Sequence, residues 1–354
     1  RTREHVPVGQ PVLGLVPHGD PVAAGPKDAI ERPAGVSRAD VVMDDISANG
    51  PSVPAPAVCL PGRRFRELVY QFGVQVVANC GAFSQIAMQH WGISSTYTSL
   101  FIPTYDIDIA YSYKGKGWLR NIGGFIKSPS LQRIQTILGK RKDPFDCYDE
   151  LDVLHRQYNL QPLYFFLMAN KNGKYDKNIL PHKPEQQGIV KKIASQYNLG
   201  IHPSWASYLN ASVIEEEIKT LEAISSKKIT SSRQHYIYFN LPEGYQLLMQ
   251  CGITDDYSMG YGSINGFRAS TGSSFFWFDL KQNQQTILRV HPFCFMEANS
   301  LYEQRYSPQQ ALEELKTYHT VCREYNCDCV TVWHNHLLGI PTWMEMYRSF
   351  LAQR

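Results

Sequence analysis

The stretch Ser99–Tyr113, SLFIPTYDIDIAYSY, decides how the chain is read. It begins as a buried strand, Leu100-Phe101-Ile102, and ends on two acids, Asp106 and Asp108, with only Ile107 between them. Strand side chains alternate, so Thr104, Asp106 and Asp108 share one face and Tyr105, Ile107 and Ile109 the other. Carboxylates at i and i+2 stand roughly 7 Å apart on that face. Burial raises the pKa of both unless positive charge lies beside them. A metal ion, an arginine or bulk water would meet that need, and a strand end emerging into solvent is as good a reading of the pair alone.

From Ser99 onward, strand-like and helix-like segments alternate. PLYFFLM (162–168) is a short apolar run suited to a buried parallel strand. PEQQGIVKKIASQY (184–197) reads as a helix with proline in its first turn. LGIHPS is a strand, and SVIEEEIKTLEAI (212–224) is an amphipathic helix with Val213, Ile214, Ile218, Leu221 and Ile224 on one side. ITSSRQHY is a strand candidate, GYQLLMQCG a short helix and ITDDYS another strand. GFRASTGSSFFWFDL followed by TILRVHPFCF reads as an inserted hairpin. SPQQALEELKTYHTVCREY (307–325) is a helix capped by Ser307, CVTVWHNH a last strand and PTWMEMYRSFLAQR a final helix. Such alternation implies a parallel α/β fold, most naturally a closed barrel.

The first sixty residues contain no Phe, Tyr or Trp, although aromatics make up 12% of the chain. They are rich in Pro, Gly, Ala and Val, a composition that cannot supply a large core and is expected to be extended or disordered. The expected organisation is an extension over 1–60, a short segment without assigned structure over 61–98, and an irregular (β/α) barrel over 99–354.

The 354 residues are 43% hydrophobic and 19% charged, as in a globular protein, and the net charge of +3 argues against nucleic acid as a partner. No apolar run approaches the roughly 18 residues needed for a transmembrane segment. The start shows neither a signal-peptide pattern nor an initiator Met, and a cytoplasmic location is the expectation. Eight scattered cysteines read as reduced thiols. Cys322, Cys327 and Cys329 form C-x4-C-x-C, which matches no common zinc spacing, so no metal is expected there.

In parallel barrels the chemistry collects at the C-terminal ends of the strands. Those ends carry Asp106 and Asp108, His202, Arg233 and His235, Asp255 and Asp256, and His334 with His336. Any one of these histidines alone is more often a structural hydrogen-bonder. Acids, an arginine and histidines at five ends are hard to explain as core filling.

TYDID, GIHPSW, SRQHY, DDYSMGYGSINGFRAS and VWHNHLLG resemble, in order and spacing, the motifs of the polysaccharide deacetylase family, which includes nodulation-factor and peptidoglycan deacetylases. The resemblance spans about residues 99 to 354 and is closest to a bacterial branch that also carries HPFCFMEAN. It implies a general base at Asp106, a zinc or similar divalent ligand at Asp108, and a second ligand at His202. It implies that Arg233 holds the base, that Asp255 or Asp256 tunes the late histidine, with Asp256 taken as the site residue, and that His334 is the general acid. The activity implied is hydrolysis of the acetyl group of an N-acetylated sugar in a bacterial envelope polysaccharide or its precursor.

One departure bears on the metal. The family's second histidine, four residues after the first, is Ala206 here. His235, two residues past Arg233 and on its face, is a candidate to complete the set; water in its place, or no metal, are the alternatives. Aromatic residues near the motifs suit sugar stacking, with Trp205 and Tyr261 expected to be exposed and Arg268 a further substrate contact. Three other classes compete. The first is a catalytically inactive barrel that only binds glycan, favoured by Ala206. The second is a hydrolase of some other amide. The third is a nuclease suggested by the letters HNH at 334–336, against which stand the buried-strand context and the weak net charge.

Overall fold

The structure is a computed structural model that describes residues 99–116 and 131–354. The expectations for 1–60 and 61–98 lie outside the described residues. The described residues fall within one compact unit, Ala34–Arg354.

Among the described residues nine strands form one sheet: β1 (Phe101–Ile107), β2 (Leu163–Leu167), β3 (Asn198–His202), β4 (Ser231–Ser232), β5 (Asp255–Asp256), β6 (Phe275–Asp279), β7 (Gln284–Val290), β8 (Phe295–Met296) and β9 (Cys329–His334). Their order is β6-β7-β5-β4-β3-β2-β1-β9-β8. Every pairing is parallel except β6 with β7, the expected hairpin. Among the described residues β6 and β8 are the two edges, so the sheet is an irregular, open barrel rather than a closed one.

Helices follow the strands as a parallel sheet demands: α1 (Leu131–Ile137), α2 (Tyr148–Gln157), α3 (Pro184–Ala194), α4 (Ala211–Ser225), α5 (Glu243–Gln250), α6 (Pro308–Glu324), α7 (Asn335–Leu338) and α8 (Pro341–Gln353). Local chemistry sets their ends. Asn210 accepts from the Val213 N–H at the start of α4, and Ser307 with Gln310 forms a reciprocal capping box on α6. No described helix is long and apolar enough to cross a membrane.

β2 is buried along its whole length, as its unbroken apolar run requires of a strand covered on both faces. On the outer face of β1 the Tyr105 hydroxyl meets His155 Nε2 and the Tyr347 hydroxyl, both at 2.7 Å, beneath α2 and α8. The inner face carries Thr104 and Asp106. Two expected strands shrink to two residues each, β4 and β5. After β4 the chain turns sharply: Tyr236 and Ile237 both adopt left-handed φ, 61° and 55°. That turn costs backbone strain and swings His235 away from a strand path.

Candidate metal and acid–base site

Parallel register brings distant residues to one end of the sheet. Asp106 of β1 is the direct partner of His334 on β9, and Leu167 of β2 is the partner of His202 on β3. Ile201 pairs with Ser232, and the Arg233 N–H continues the ladder to the Ile201 carbonyl at 3.0 Å. Asp108 lies just past β1. The loop it enters is tied down by the Asp143 carboxylate, which accepts from the N–H groups of Ser112 and Tyr113. The Asn335 amide secures the same loop by donating to the carbonyls of Ile109 and Ala110.

Arg233 is fully buried. Its Nη1 donates to Asp106 Oδ1 at 2.9 Å and to Thr104 Oγ1 at 2.7 Å, and its Nε donates to the Tyr257 carbonyl at 2.9 Å. Its guanidinium lies 4.5 Å from the centroid of Phe165 and 5.5 Å from that of Phe293. Two glycines make room for these rings. A Cβ on Gly200 would stand 2.4 Å from the Phe165 ring, and one on Gly260 would stand 2.3 Å from the Phe293 ring.

Asp108, His202 and His235 come together with their ligand atoms within 4.8 Å of one another. His202 Nε2 is 3.2 Å and His235 Nε2 is 3.9 Å from Asp108 Oδ1. The other nitrogen of each ring is held from behind. His202 Nδ1 faces the Arg233 carbonyl at 2.5 Å, and His235 Nδ1 faces Asp176 Oδ1 at 3.0 Å. Both of those partners only accept, so each Nδ1 carries the proton. In the neutral rings both Nε2 lone pairs then point at a carboxylate oxygen, Asp108 Oδ1, which is buried and accepts no well-formed hydrogen bond. A cation between them would satisfy all three lone pairs; in its absence burial opposes the His202 imidazolium, but Asp106 and Asp108 raise its pKa and let it donate to Asp108. Two histidines held at Nδ1 by a carbonyl and a carboxylate are the usual support for such an ion. These residues fit a divalent metal of the zinc kind. Without one, burial opposes the Asp108 charge, yet the histidines around it hold its carboxyl far below the usual range.

His334 stands on the other side. Its Nε2 is 4.0 Å from Asp108 Oδ2, its Nδ1 is 3.1 Å from Glu297 Oε1, and its backbone N–H also donates to Glu297. Burial depresses the imidazolium, but Glu297, then Asp108 and Asp106, more than offset this and raise its pKa to about 9.

Sequence reading missed two acids. Asp176, in the loop after β2, accepts from His235 Nδ1 and also from the N–H groups of Trp205 and Ala206, at 2.9 and 3.3 Å. Ala206, standing where a ligand was expected, thus helps through its backbone to hold the acid that orients His235. Glu297 follows β8 and makes the contact with His334 that was expected of Asp256. The Asp256 carboxylate is instead engaged with Ser232 Oγ and with the N–H and hydroxyl of Ser258. Asp255 pairs with His291 at 2.8 Å. Neither acid lay in a pattern that would reveal it, since loops have no period; HPFCFMEAN was the one local hint for Glu297.

The aromatic residues divide. Trp333, Phe267 and Trp343 are core. Trp205 is half-buried rather than exposed, because it stacks on Tyr238 with centroids 4.1 Å apart and planes 4° apart, and Tyr175 packs 4.1 Å from its ring. Tyr236 adds an edge contact, and its ring lies 4.4 Å from that of His235. This half-buried group borders the His235 side of the site. Tyr261 is also half-buried, and Arg268 lies over Phe239 at 5.4 Å.

No protein-family model matches the chain. No curated protein matches it. Among solved structures it is similar to a "putative polysaccharide deacetylase from Mycobacterium smegmatis", with TM-score 0.49 and 15% identity over 73% of this chain and 85% of that one. It is also similar to a "probable polysaccharide deacetylase from Pseudomonas aeruginosa PAO1", with TM-score 0.46 and 12% identity over 72% and 84%. Puue allantoinase gives TM-score 0.46 and 10% identity over 74% and 88%. Several of its structural neighbours are thus polysaccharide deacetylases.

Proposed function

We propose that the chain is a metal-dependent hydrolase that removes the acetyl group from an N-acetylated sugar of a bacterial polysaccharide or its precursor. The observation that carries this reading is the convergence of Asp108 Oδ1 with the Nε2 atoms of His202 and His235, next to one carboxylate held by an arginine and one histidine held by a carboxylate. Asp108, His202 and His235 would hold the ion. When bound, it supplies Lewis-acid polarisation of the amide carbonyl and of a water molecule.

The remaining work falls to the chain's own groups. Asp106 has one oxygen tied to Arg233, and its Oδ2 lies 3.9 Å from His202 Nε2, on the ligand side. In this reading that oxygen takes the proton of the attacking water, and Arg233 fixes the carboxylate's orientation. His334, protonated at neutral pH and steered by Glu297, delivers a proton to the departing amine. A divalent ion on Asp108 would weaken the carboxylates' pull on His334 and bring its pKa down toward the working range of a general acid. The face formed by Tyr175, Trp205, Tyr236 and Tyr238 suits the apolar face of a sugar ring. Tyr261 and Arg268 remain candidate substrate contacts.

The test is acetate release from N-acetylglucosamine oligomers by the metal-loaded chain, beside Asp106→Asn, Asp108→Ala and His334→Ala. The expected result is turnover lost by about 100-fold or more in each variant, with the ion of this site lost only in Asp108→Ala. Retained binding of the oligomers with no acetate release by the metal-loaded wild type would favour a glycan-binding protein instead.

A further inference from the structure

The pole of the sheet opposite the catalytic end holds a second constellation. Cys294, Cys322 and Cys329 are all free and buried, with their sulfurs within 4.8 Å of one another. The Cys294 and Cys329 sulfurs are 4.0 Å apart. The Cys327 thiol, also buried, is in hydrogen-bonding contact with Cys322. Three thiols therefore meet, from the residue before β8, the last turn of α6 and the first residue of β9, and the thiol of Cys327, in the loop after α6, stands beside Cys322. We propose that Cys294, Cys322 and Cys329, completed by the adjacent Cys327, form a thiolate site for a soft divalent ion of the zinc class, independent of the Asp108 site and structural in role.

The spacing fits this chemistry. With Zn–S bonds of about 2.3 Å, the edge of a tetrahedron of sulfurs is about 3.8 Å, close to the Cys294–Cys329 separation, whereas a disulfide needs about 2.05 Å. The surroundings are built to receive a thiolate. The Gly272 N–H faces the Cys327 sulfur, and a Cβ on Gly272 would stand 2.6 Å from it, so only glycine admits this approach. Besides one another, the Cys322 and Cys294 thiols meet the Asp328 and Val330 carbonyls, at 3.5 and 3.7 Å. Loading would exchange four S–H protons for four metal–sulfur bonds with no change of oxidation state. The C-x4-C-x-C spacing looked unpromising because the fourth ligand, Cys294, enters from the neighbouring strand.

The placement states the role. Cys294 N–H bonds to the Val330 carbonyl at 3.1 Å, at the start of the β8–β9 pairing. Five residues along β9, about 17 Å away, His334 reaches the catalytic end and meets Glu297, which directly follows β8. The ion would pin the entry of both strands and the end of α6, fixing the register that brings Glu297 to His334.

The experiment uses the full chain carrying Asp108→Ala, so that the other site is removed, purified under reducing conditions and loaded with cobalt. The expected result is one ion retained per chain with an intense thiolate-to-cobalt charge-transfer band in the near ultraviolet. Cys294→Ser and Cys322→Ser should abolish the band and lower the melting temperature. Because those variants can misfold, titration of the zinc-loaded Asp108→Ala chain with a mercurial is the second readout: zinc should appear as four thiols react. Absence of the band in both wild type and Asp108→Ala, a disulfide among these cysteines in the intact mass, or iron with acid-labile sulfide in place of zinc would each overturn the proposal.

Discussion

Asp176→Asn tests the proposed metal site through a residue that would touch no ion. The Asp176 carboxylate accepts three hydrogen bonds: from His235 Nδ1 at 3.0 Å and the Trp205 N–H at 2.9 Å on Oδ1, and from the Ala206 N–H at 3.3 Å on Oδ2. Asparagine keeps one oxygen, which can take the Oδ1 position and preserve the first two. Its amide nitrogen then faces the Ala206 N–H, donor against donor, and the negative charge behind His235 is gone. His235 keeps its direction approximately but loses basicity at Nε2. Changes of this kind at an outer partner cost 10- to 100-fold in metal affinity, or about 1.4–2.8 kcal/mol. His235→Ala should cost more, because it deletes a ligand. Competition against a chromophoric chelator measures zinc affinity in wild type, Asp176→Asn and His235→Ala. The expected order is wild type tightest and His235→Ala weakest, and acetate release at saturating metal should be largely restored in Asp176→Asn. An Asp176→Asn affinity within about twofold of wild type would refute the claim that this acid supports a ligand.

Other consequences are as open to measurement. Arg233→Met strands the Asp106 carboxylate without its cation in a buried site; urea unfolding should show a loss of about 3–5 kcal/mol at unchanged slope, and a loss under about 1 kcal/mol would mean the pair behaves as an exposed one. Glu297→Gln removes the charge behind His334 that most raises its pKa, so that pKa should fall and the alkaline limb of the kcat/KM profile should move to lower pH; an unmoved limb would assign that limb to another group. Glu217, on the buried face of α4 and accepting the Ser204 N–H at 3.0 Å, has its pKa pushed by burial from 4.5 to about 7. A carboxyl whose folded pKa is raised stabilises fully below about 4.5, and that contribution is lost as pH rises through 7. Glu217→Gln should therefore raise the melting temperature above pH 7, by up to about 3 kcal/mol in stability, with the advantage vanishing in acid. A constant difference across that window would show that Glu217 does not titrate as its burial implies.

Local chemistry made much of this chain legible without coordinates. Proline and serine at helix starts, the apolar run at Leu163–Leu167 and the alternation through Asp106 each act over a few residues, and the elements follow them. The strand ends were legible for the same reason: a parallel sheet sends all its C-terminal ends to one side, so Asp106, Asp108, His202, Arg233, His235 and His334 could be grouped from order alone. What order could not supply was register and reach. Whether His235 could stand beside Asp108 and His202 depended on a sharp turn with two left-handed residues, Tyr236 and Ile237. The acid behind His334 was assigned by motif order to Asp256, but adjacency of β8 and β9 gives that place to Glu297. Asp176 and Cys294 sit in segments with no period, and each acquires its role from a partner dozens of residues away. Hydrogen-bond pairing between neighbouring strands fixes those distances to tenths of an ångström, and that information exists only once the sheet has formed.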